Sequence, residues 1–364
     1  MNGQHDALVI DAVGKQYGDF TALAPTSLTV CRGEFVSLLG PSGSGKTTLL
    51  MMIAGLATPD CGSIWIDGTD ATRLPPNRRD IGVVFQNYAL FPHMSIFQNI
   101  AFPLQQRHVP GGEIRRRVEH ILEVVGLSHV ADRLPAALSG GQQQRIALAR
   151  CLVYRPSLIL MDEPLGALDK RMRDQLQDEI RRTHCELGTT IVYVTHDQHE
   201  ALTMSDRICL MNHGRIEQVE TPQRLYARPR SVFSACFLGE SNIFKPVSIV
   251  SDHGGWRFAM AEGQAPFLAG PRADMTDPSA FLVRPENMRI GPGTGLEDNR
   301  IDVTVSDILF MGTTTRYRVE APWGQSLLVD ALSGSDMADV HVGATVGVCW
   351  NASNTVALLD NGAP

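Results

Sequence analysis

One glycine-rich loop constrains this chain more than any other feature. It runs from Gly40 to Thr48, after the apolar stretch Phe35–Leu39 and before a second apolar stretch, Leu49–Leu56. A strand, a G-x-x-x-x-G-K-T loop and a helix in this order are typical of a phosphate-binding loop. The glycines let backbone N–H groups turn inward, and the helix N-terminus adds partial positive charge. A turn without a ligand is the alternative, and the flanking strand and helix argue against it.

The side chains of this loop predict how a nucleotide binds. We expect the Lys46 ammonium to reach the β- and γ-phosphates and the Thr47 hydroxyl to hold Mg²⁺. The loop residues expected to contact the nucleotide are Gly40, Pro41, Ser42, Gly43, Ser44, Gly45, Lys46, Thr47 and Thr48.

Length and composition restrict the class of protein. A chain of 364 residues predicts two or three domains. It contains no run of eighteen apolar residues that predicts a membrane span, and its first residues do not resemble a secretory leader. The seven cysteines are odd in number and include no C-x-x-C pair, so they predict reduced, mostly packed thiols in a cytoplasmic protein rather than metal sites.

The net charge of −7 lies in the C-terminal part of the chain. After residue 239 there are 8 Lys and Arg against 15 Asp and Glu, and the preceding residues balance. Because neither part is basic, electrostatic binding to nucleic acid is not expected.

Polar side chains follow three further apolar stretches that predict parallel strands. They are Gln86, the pair Asp162 and Glu163, and His196. Because the carboxyl ends of parallel strands face the ligand in open sheets, we expect these side chains in the same site. An Asp at such a strand end helps to hold Mg²⁺, and the adjacent Glu polarises the attacking water. Solvated acids and a structural histidine are the alternatives.

Two other features predict contacts with a ligand. Ser139, Gly140, Gly141 and Gln142 precede a strong helical pattern, with Ser139 as the N-cap, and form a second helix N-terminus fit for an anion. Tyr17 lies in a turn ahead of the loop strand, where its ring would either stack on adenine or pack as an ordinary core or turn residue.

Between these features lie a helix and an irregular apolar stretch. Residues 112–126 predict an amphipathic helix. The stretch from Asn87 to Phe102 is rich in aromatic side chains and methionine but has no clean period, so it predicts either a buried loop or a docking surface.

The sequence texture changes near residue 240. Helical patterns stop, and short strands alternate with Gly, Pro, Asn and Asp, which predicts a small all-β domain, either barrel-like or a sandwich. We therefore place a domain boundary between Gly239 and Glu240.

Taken together, these motifs resemble the ATP-binding subunits of ABC transporters. The resemblance rests on the phosphate loop, Gln86, the segment Leu138–Gln142, the Asp162–Glu163 pair, the segment Leu165–Asp169, and His196. It implies an α/β phosphate-loop NTPase domain over residues 1–239, with a RecA-like core, an antiparallel β subdomain and a helical subdomain over about 88–155. Residues 240–364 resemble the OB-like accessory (TOBE) domain of importer ATPases.

The resemblance also implies the roles of the site residues. Two ATP molecules would lie between two copies of the chain, each held by the phosphate loop of one copy and the signature turn (Ser139, Gly140, Gly141, Gln142) of the other. The catalytic residues would be Glu163, His196, Gln86 and Lys46. Mg²⁺ would be held by Thr47, Gln86 and Asp162. Tyr17 would stack on adenine, His196 would contact the γ-phosphate, and Asp169 would link the two copies.

The function implied is ATP hydrolysis that energises an import complex at the cytoplasmic face of the inner membrane. The partners would be a second copy, a membrane permease that docks on residues 86–102, and indirectly an extracytoplasmic solute-binding protein, with no nucleic acid. Within the family the overall resemblance is to the spermidine/putrescine type, with His199 where the family usually has Glu. The alternatives are the same ATPase driving import of ferric iron, 2-aminoethylphosphonate, sugars or oxyanions, a soluble non-transport ABC ATPase, and a module regulated by a metabolite bound to the tail.

Overall fold

The computed structural model describes residues 6–85, 88–166, 170–252, 255–272, 274–291, 299–334 and 340–360. The chain divides into two compact units, Met1–Pro222 and Gln223–Pro364. Within the described part of the chain, no helix has the length and apolarity needed to cross a membrane.

The first unit combines two sheets with helices. Its strands are β1 (Asp6–Tyr17), β2 (Phe20–Cys31), β3 (Phe35–Leu39), β4 (Cys61–Ile66), β5 (Thr69–Asp70), β6 (Gly82–Val84), β7 (Leu158–Asp162), β8 (Thr190–Thr195), β9 (Arg207–Asn212) and β10 (Arg215–Glu220). Its helices are α1 (Lys46–Ala54), α2 (Ile96–Gln106), α3 (Gly111–Val124), α4 (Gly140–Leu152), α5 (Lys170–Leu187) and α6 (Gln198–Met204).

The central sheet of this unit has the strand order β10-β9-β3-β8-β7-β6. All neighbours are parallel except the β9–β10 hairpin. Its inner strands β3, β7 and β8 are largely apolar and buried because both faces of the sheet are covered there. Ile159 and Met161 face a core built with α2, α3 and α4, whereas Leu158 and Leu160 face the core that contains α1 and the antiparallel sheet β2-β1-β4-β5.

The second unit is mainly β structure. Its elements are α7 (Pro222–Ala227, which begins on the last residue of the first unit), α8 (Val232–Phe237), β11 (Asn242–Phe244), β12 (Ser248–Asp252), β13 (Gly255–Ala259), β14 (Phe267–Ala269), β15 (Ala280–Val283), β16 (Arg289–Ile290), β17 (Asn299–Phe310), β18 (Thr314–Glu320), β19 (Ser326–Leu332), β20 (Thr345–Trp350) and β21 (Val356–Leu358). The sheet orders are β11-β15-β21, β12-β13-β14 and β16-β20-β17-β18-β19. An aromatic core that includes Phe244, Phe258 and Phe281 joins them.

The division between the compact units lies earlier in the chain than the change in sequence texture near residue 239. The intervening helices bond to the β structure of the second unit. Arg284 donates to the carbonyls of Ala235 and Gly239, and Val232 N–H donates to the Leu359 carbonyl.

The thiols differ from expectation in one respect. All seven are free, but Cys31, Cys61, Cys185 and Cys236 are exposed, so the prediction of mostly packed thiols is wrong. Apolar neighbours in the sequence do not bury a side chain that points outward from a strand or helix surface.

Candidate nucleotide-binding site

The strand order brings the polar strand ends together. Strands β3, β8 and β7 are neighbours in the sheet. The phosphate loop follows β3, His196 follows β8, and Asp162 is the last residue of β7. Their ends are level, since Leu39 pairs with Thr195 and Asp162 pairs with Val194. Gln86, which follows the neighbouring strand β6, lies outside the described residues.

The phosphate loop has glycines where its backbone is crowded. A Cβ atom at Gly40 would lie 2.2 Å from the Met211 carbonyl oxygen, and one at Gly45 would lie 2.8 Å from the Ala22 carbonyl oxygen. Gly45 also has φ of 96° and forms the N-cap of α1. By contrast, a Cβ at Gly43 would meet nothing within 4 Å, so this side of the loop is open. The loop is therefore held against β2 and β9 and leaves its other side free for a phosphate group.

Lys46 is buried and bonds to the loop itself. Its Nζ donates to the Gly40 and Pro41 carbonyl oxygens, each at 2.8 Å. Burial lowers the pKa of Lys46, and the nearby carboxylates of Glu163 and Asp162 oppose that shift. The ammonium is thus held in the loop by neutral carbonyl acceptors, which a negatively charged phosphate oxygen is able to replace.

Asp162 and Thr47 form the next part of the site. The Thr47 hydroxyl donates to Asp162 Oδ1 at 3.4 Å. Burial raises the pKa of Asp162, partly offset by this hydrogen bond. A hydroxyl and a carboxylate oxygen at this distance are the hard oxygen ligands that Mg²⁺ prefers, so the two residues fit that ion.

Glu163 lies beside His196. His196 Nδ1 is 3.1 Å from Glu163 Oε1, and the imidazole is exposed whereas the carboxylate is half-buried. Glu163 has φ of 43°, a left-handed conformation that is uncommon outside glycine, and its N–H donates to the Val194 carbonyl at 3.0 Å. The β7–β8 pairing therefore continues one residue past Asp162 and fixes the direction of Glu163.

Tyr17 lies at the end of the β1–β2 hairpin. Its side chain is 53% exposed, with Lys15 Nζ 5.3 Å from the ring centroid. The same hairpin contacts the phosphate loop where Ala22 approaches Gly45. The exposed ring is thus free to stack on a planar group.

The signature turn caps its own helix. Ser139 Oγ accepts from Gln142 N–H at 3.4 Å, and Gln142 Oε1 accepts from Ser139 N–H at 3.0 Å. This reciprocal capping box leaves Ser139 and Gly140 exposed and Gly141 buried. Among the described residues, no hydrogen bond or ion pair joins the turn to the phosphate loop. The fold thus brings together Lys46, Thr47, Asp162, Glu163 and His196, whereas the hydrogen bonds found for the signature turn lie within its own helix cap.

Comparisons with known proteins identify this arrangement. A model of the ABC transporter family matches residues 23–166, and a TOBE domain model matches residues 281–358. The "Spermidine/putrescine import ATP-binding protein PotA" of Rubrobacter xylanophilus is 43% identical over 364 residues, covering 98% of this chain and 94% of that relative. The chain belongs to the ABC transporter family of ATP-binding proteins. The predicted family, and with it nucleotide binding and ATPase activity, are confirmed.

Other members support the same assignment of this ABC protein. The PotA protein of Vibrio cholerae is 40% identical to this chain, and the match covers 99% of this chain and 97% of that relative. The solved structure of cbiO1 from Clostridium perfringens, described as part of the ABC transporter complex cbiONQ, is 30% identical with a TM-score of 0.58. It covers 61% of this chain and 91% of that one. The predicted fold class, a phosphate-loop NTPase core with a C-terminal all-β domain, is confirmed.

A network of side chains that the sequence does not predict fixes the backbone around His196 in this ABC ATPase. Glu200 is 3% exposed, and one of its carboxylate oxygens accepts from the hydroxyls of Tyr193 and Thr195 at 2.8 and 2.6 Å. Thr195 Oγ1 accepts from Asp197 N–H, and Asp197 in turn accepts from Arg173 Nη1 at 3.0 Å. Burial raises the pKa of Glu200, against the effect of its two hydroxyl donors. Both chain neighbours of His196 are therefore fixed.

A second missed residue holds the far end of α1. Arg79 is 5% exposed and donates to the carbonyls of Leu74, Met52 and Ile53 at 2.7 to 2.9 Å. The last two belong to the final turn of α1, whose carbonyls have no partner within the helix. Arg79 thus fixes the helix whose first turn is part of the phosphate loop.

Proposed function

We propose that this chain is the ATP-hydrolysing subunit of an importer for polyamines such as spermidine and putrescine. The observation that supports it best is the adjacency of Lys46, Thr47–Asp162 and Glu163–His196 at one edge of the sheet. The polyamine cargo is inferred from the names of relatives that are 40–43% identical over nearly the whole chain.

In the proposed mechanism the residues of one site share the work. Lys46 exchanges its loop carbonyls for oxygens of the β- and γ-phosphates. Glu163 accepts a hydrogen bond from the attacking water and polarises it, and His196 holds Glu163 and contacts the γ-phosphate. Thr47 and Asp162, with Gln86, would hold Mg²⁺, which when bound neutralises charge on the phosphates.

The lack of a hydrogen bond between the signature turn and the phosphate loop of the same chain favours a pair of chains. The exposed N-terminus of α4 has partial positive charge and a backbone suited to an anion, but within one chain it does not bond to the loop that holds the triphosphate. A second copy that presents its signature turn across the nucleotide completes each site. ATP then closes the pair, and hydrolysis opens it.

A half-buried aromatic surface supports docking on a membrane permease. Tyr88, Phe91, Met94 and Phe102 are each partly exposed, and the rings of Phe91 and Phe102 lie 4.8 Å apart. Ordered but incompletely covered apolar side chains of this kind are typical of a docking surface. In this proposal the chain works at the cytoplasmic face of the inner membrane, where it docks on a permease. The permease in turn receives the solute from an extracytoplasmic solute-binding protein.

The test measures uptake of labelled putrescine and spermidine by cells that produce this chain together with the permease encoded next to it. Glu163→Gln is expected to abolish uptake, and in the purified chain to lower hydrolysis by on the order of 10² to 10⁴ while ATP still binds, because a positioned water is lost. Glu123→Gln, an exposed substitution of the same kind on α3, is the matched control and is expected to keep both.

Each outcome decides a separate part of the proposal. Hydrolysis near the wild-type rate in Glu163→Gln would refute the role of that carboxylate. Intact hydrolysis with no polyamine uptake in the wild type would refute the cargo, and labelled ferric iron, 2-aminoethylphosphonate and sugars would be tested next.

A further inference from the structure

The docking surface begins with an unusual piece of backbone. Tyr88 and Ala89 are consecutive residues with φ of 58° and 44°. Left-handed conformations are unfavourable for residues with a Cβ, and two in succession add their costs. Something outside the segment must therefore hold it.

Arg150, in the last turn of α4, supplies that hold. Its Nη1 donates to the Ala89 carbonyl at 2.8 Å and its Nη2 to the Tyr88 carbonyl at 3.0 Å. The guanidinium carbon also lies 5.6 Å from the centroid of the Phe91 ring. A planar guanidinium bonds to two adjacent carbonyls at once, which a lysine ammonium on a flexible stem does far less well.

Asn99 fixes the other side of the same segment. This fully buried side chain accepts from the Phe91 N–H at 2.8 Å and donates to the carbonyls of Phe91 and Met94 at 3.1 Å. Residues 88–94 are thus tied to α2 by Asn99 and to α4 by Arg150.

The opposite end of α4 is the signature turn. The helix has 13 residues and so spans roughly 20 Å at 1.5 Å per residue. Ile146, Ala147 and Ala149 are fully buried along its length, so the helix is packed as a rigid element. A helix packed in this way is able to transmit a displacement of Ser139 to Arg150.

We propose that Arg150 is a positioning residue that makes residues 88–91 move with the signature helix. When nucleotide binds at Ser139, the movement of α4 is then passed to the docking surface by the two hydrogen bonds from Arg150. The inference deepens the proposed function and rests on it, because the segment matters for transport only if the permease docks there.

The test compares Arg150→Lys with Arg107→Lys in the full chain. Arg107 is the matched control, since its guanidinium stacks on Tyr154 at 3.9 Å in the same helical layer but does not contact residues 88–91. Hydrogen exchange is measured with and without ATP in a Glu163→Gln background. We expect ATP to change the exchange of the amides of residues 88–91 in the parent and in Arg107→Lys, and this response to fall at least fivefold in Arg150→Lys. The helix 140–152 remains protected in all three.

A second readout uses the assembled importer with Glu163 intact. Arg150→Lys is expected to keep the hydrolysis rate of the isolated chain within about twofold and to lower the solute transported per ATP at least tenfold. An unchanged exchange response in Arg150→Lys would overturn the proposal. Loss of wild-type uptake alone would instead count against the polyamine function, because the exchange experiment needs no cargo.

Discussion

Glu200 is the residue whose protonation has the clearest consequence for stability. Burial raises its pKa in the folded chain above the usual value of 4.5. Between that value and the raised pKa, the folded state holds more protons than the unfolded state, so the free energy of unfolding falls as the pH rises through this window. The cost persists at neutral pH, where the carboxylate is charged and its two hydroxyl donors compensate only in part.

Glu200→Gln removes this pH-dependent contribution. We expect the unfolding free energy of the variant relative to the wild type to rise as the pH increases above 4.5. A loss that does not depend on pH is added, because an uncharged amide accepts weaker hydrogen bonds from the Tyr193 and Thr195 hydroxyls. Urea unfolding of both proteins at several pH values measures it. A difference that stays constant with pH would show that Glu200 does not titrate in this range.

The site residues differ in how far the sequence predicts them. Gly40 to Thr48 are contiguous, so spacing alone indicates their joint role. Asp162, Glu163 and His196 are distant in sequence but follow apolar strands, and the parallel-sheet rule brings them together. Glu200 and Arg79 look like ordinary helix and turn charges in the sequence, because only tertiary packing buries them against β8 and α1. The family resemblance supplied the pairing of the signature turn with a second chain, which the physics of one chain leaves open.

At the scale of elements, α1 depends on a contact at the end opposite to the nucleotide. Arg79→Ala removes three hydrogen bonds from a buried charged group and takes a donor from the Met52 and Ile53 carbonyls, of which Met52 keeps its bond from the Gly55 N–H. We expect the free energy of unfolding to fall by about 3 kcal/mol, because buried hydrogen bonds to charged groups are among the stronger ones. Chemical denaturation measures this.

The neighbouring Arg78 provides the control for that substitution. It is exposed, so Arg78→Ala is expected to change stability by less than about 0.5 kcal/mol. Equal losses in the two variants would contradict the role given to Arg79.

Elements with strong patterns match their predictions, and those with weak patterns were missed. The expected helix at 112–126 is α3, Gly111–Val124, and the expected loop strand is β3. The β9–β10 hairpin was missed, although it completes the central sheet. Its turn is His213–Gly214, and apolar and polar residues do not alternate in the same way in the two strands around it. In the second unit several short strands pair only through distant partners, as β11 does with β15.

At the scale of the molecule, the helices α7 and α8 belong with the β domain. Leu225, Ala235 and Leu238 are buried, and the Ala235 carbonyl of α8 accepts a hydrogen bond from Arg284. We expect residues 223–364 produced alone to unfold cooperatively. The shorter fragment, residues 240–364, lacks these apolar side chains. We expect its free energy of unfolding to be lower than that of residues 223–364 by on the order of 5 kcal/mol, which is comparable with the whole stability of a small domain. Thermal unfolding by circular dichroism distinguishes the two fragments, and equal stability would support the boundary at Gly239.

The capped but isolated signature turn has a consequence for genetics. In the proposed pair, each nucleotide lies between the phosphate loop of one chain and the signature turn of the other. A chain damaged at Lys46 and a chain damaged at Ser139 are each inactive as pure pairs, yet a mixed pair of the two contains one site with both halves intact. A chain carrying both defects, paired with the wild type, contains none. In a transporter that needs one intact site, the two null alleles are therefore expected to complement each other. The double-mutant allele is expected to lower the activity of the normal one, because only pairs of two normal chains keep an intact site.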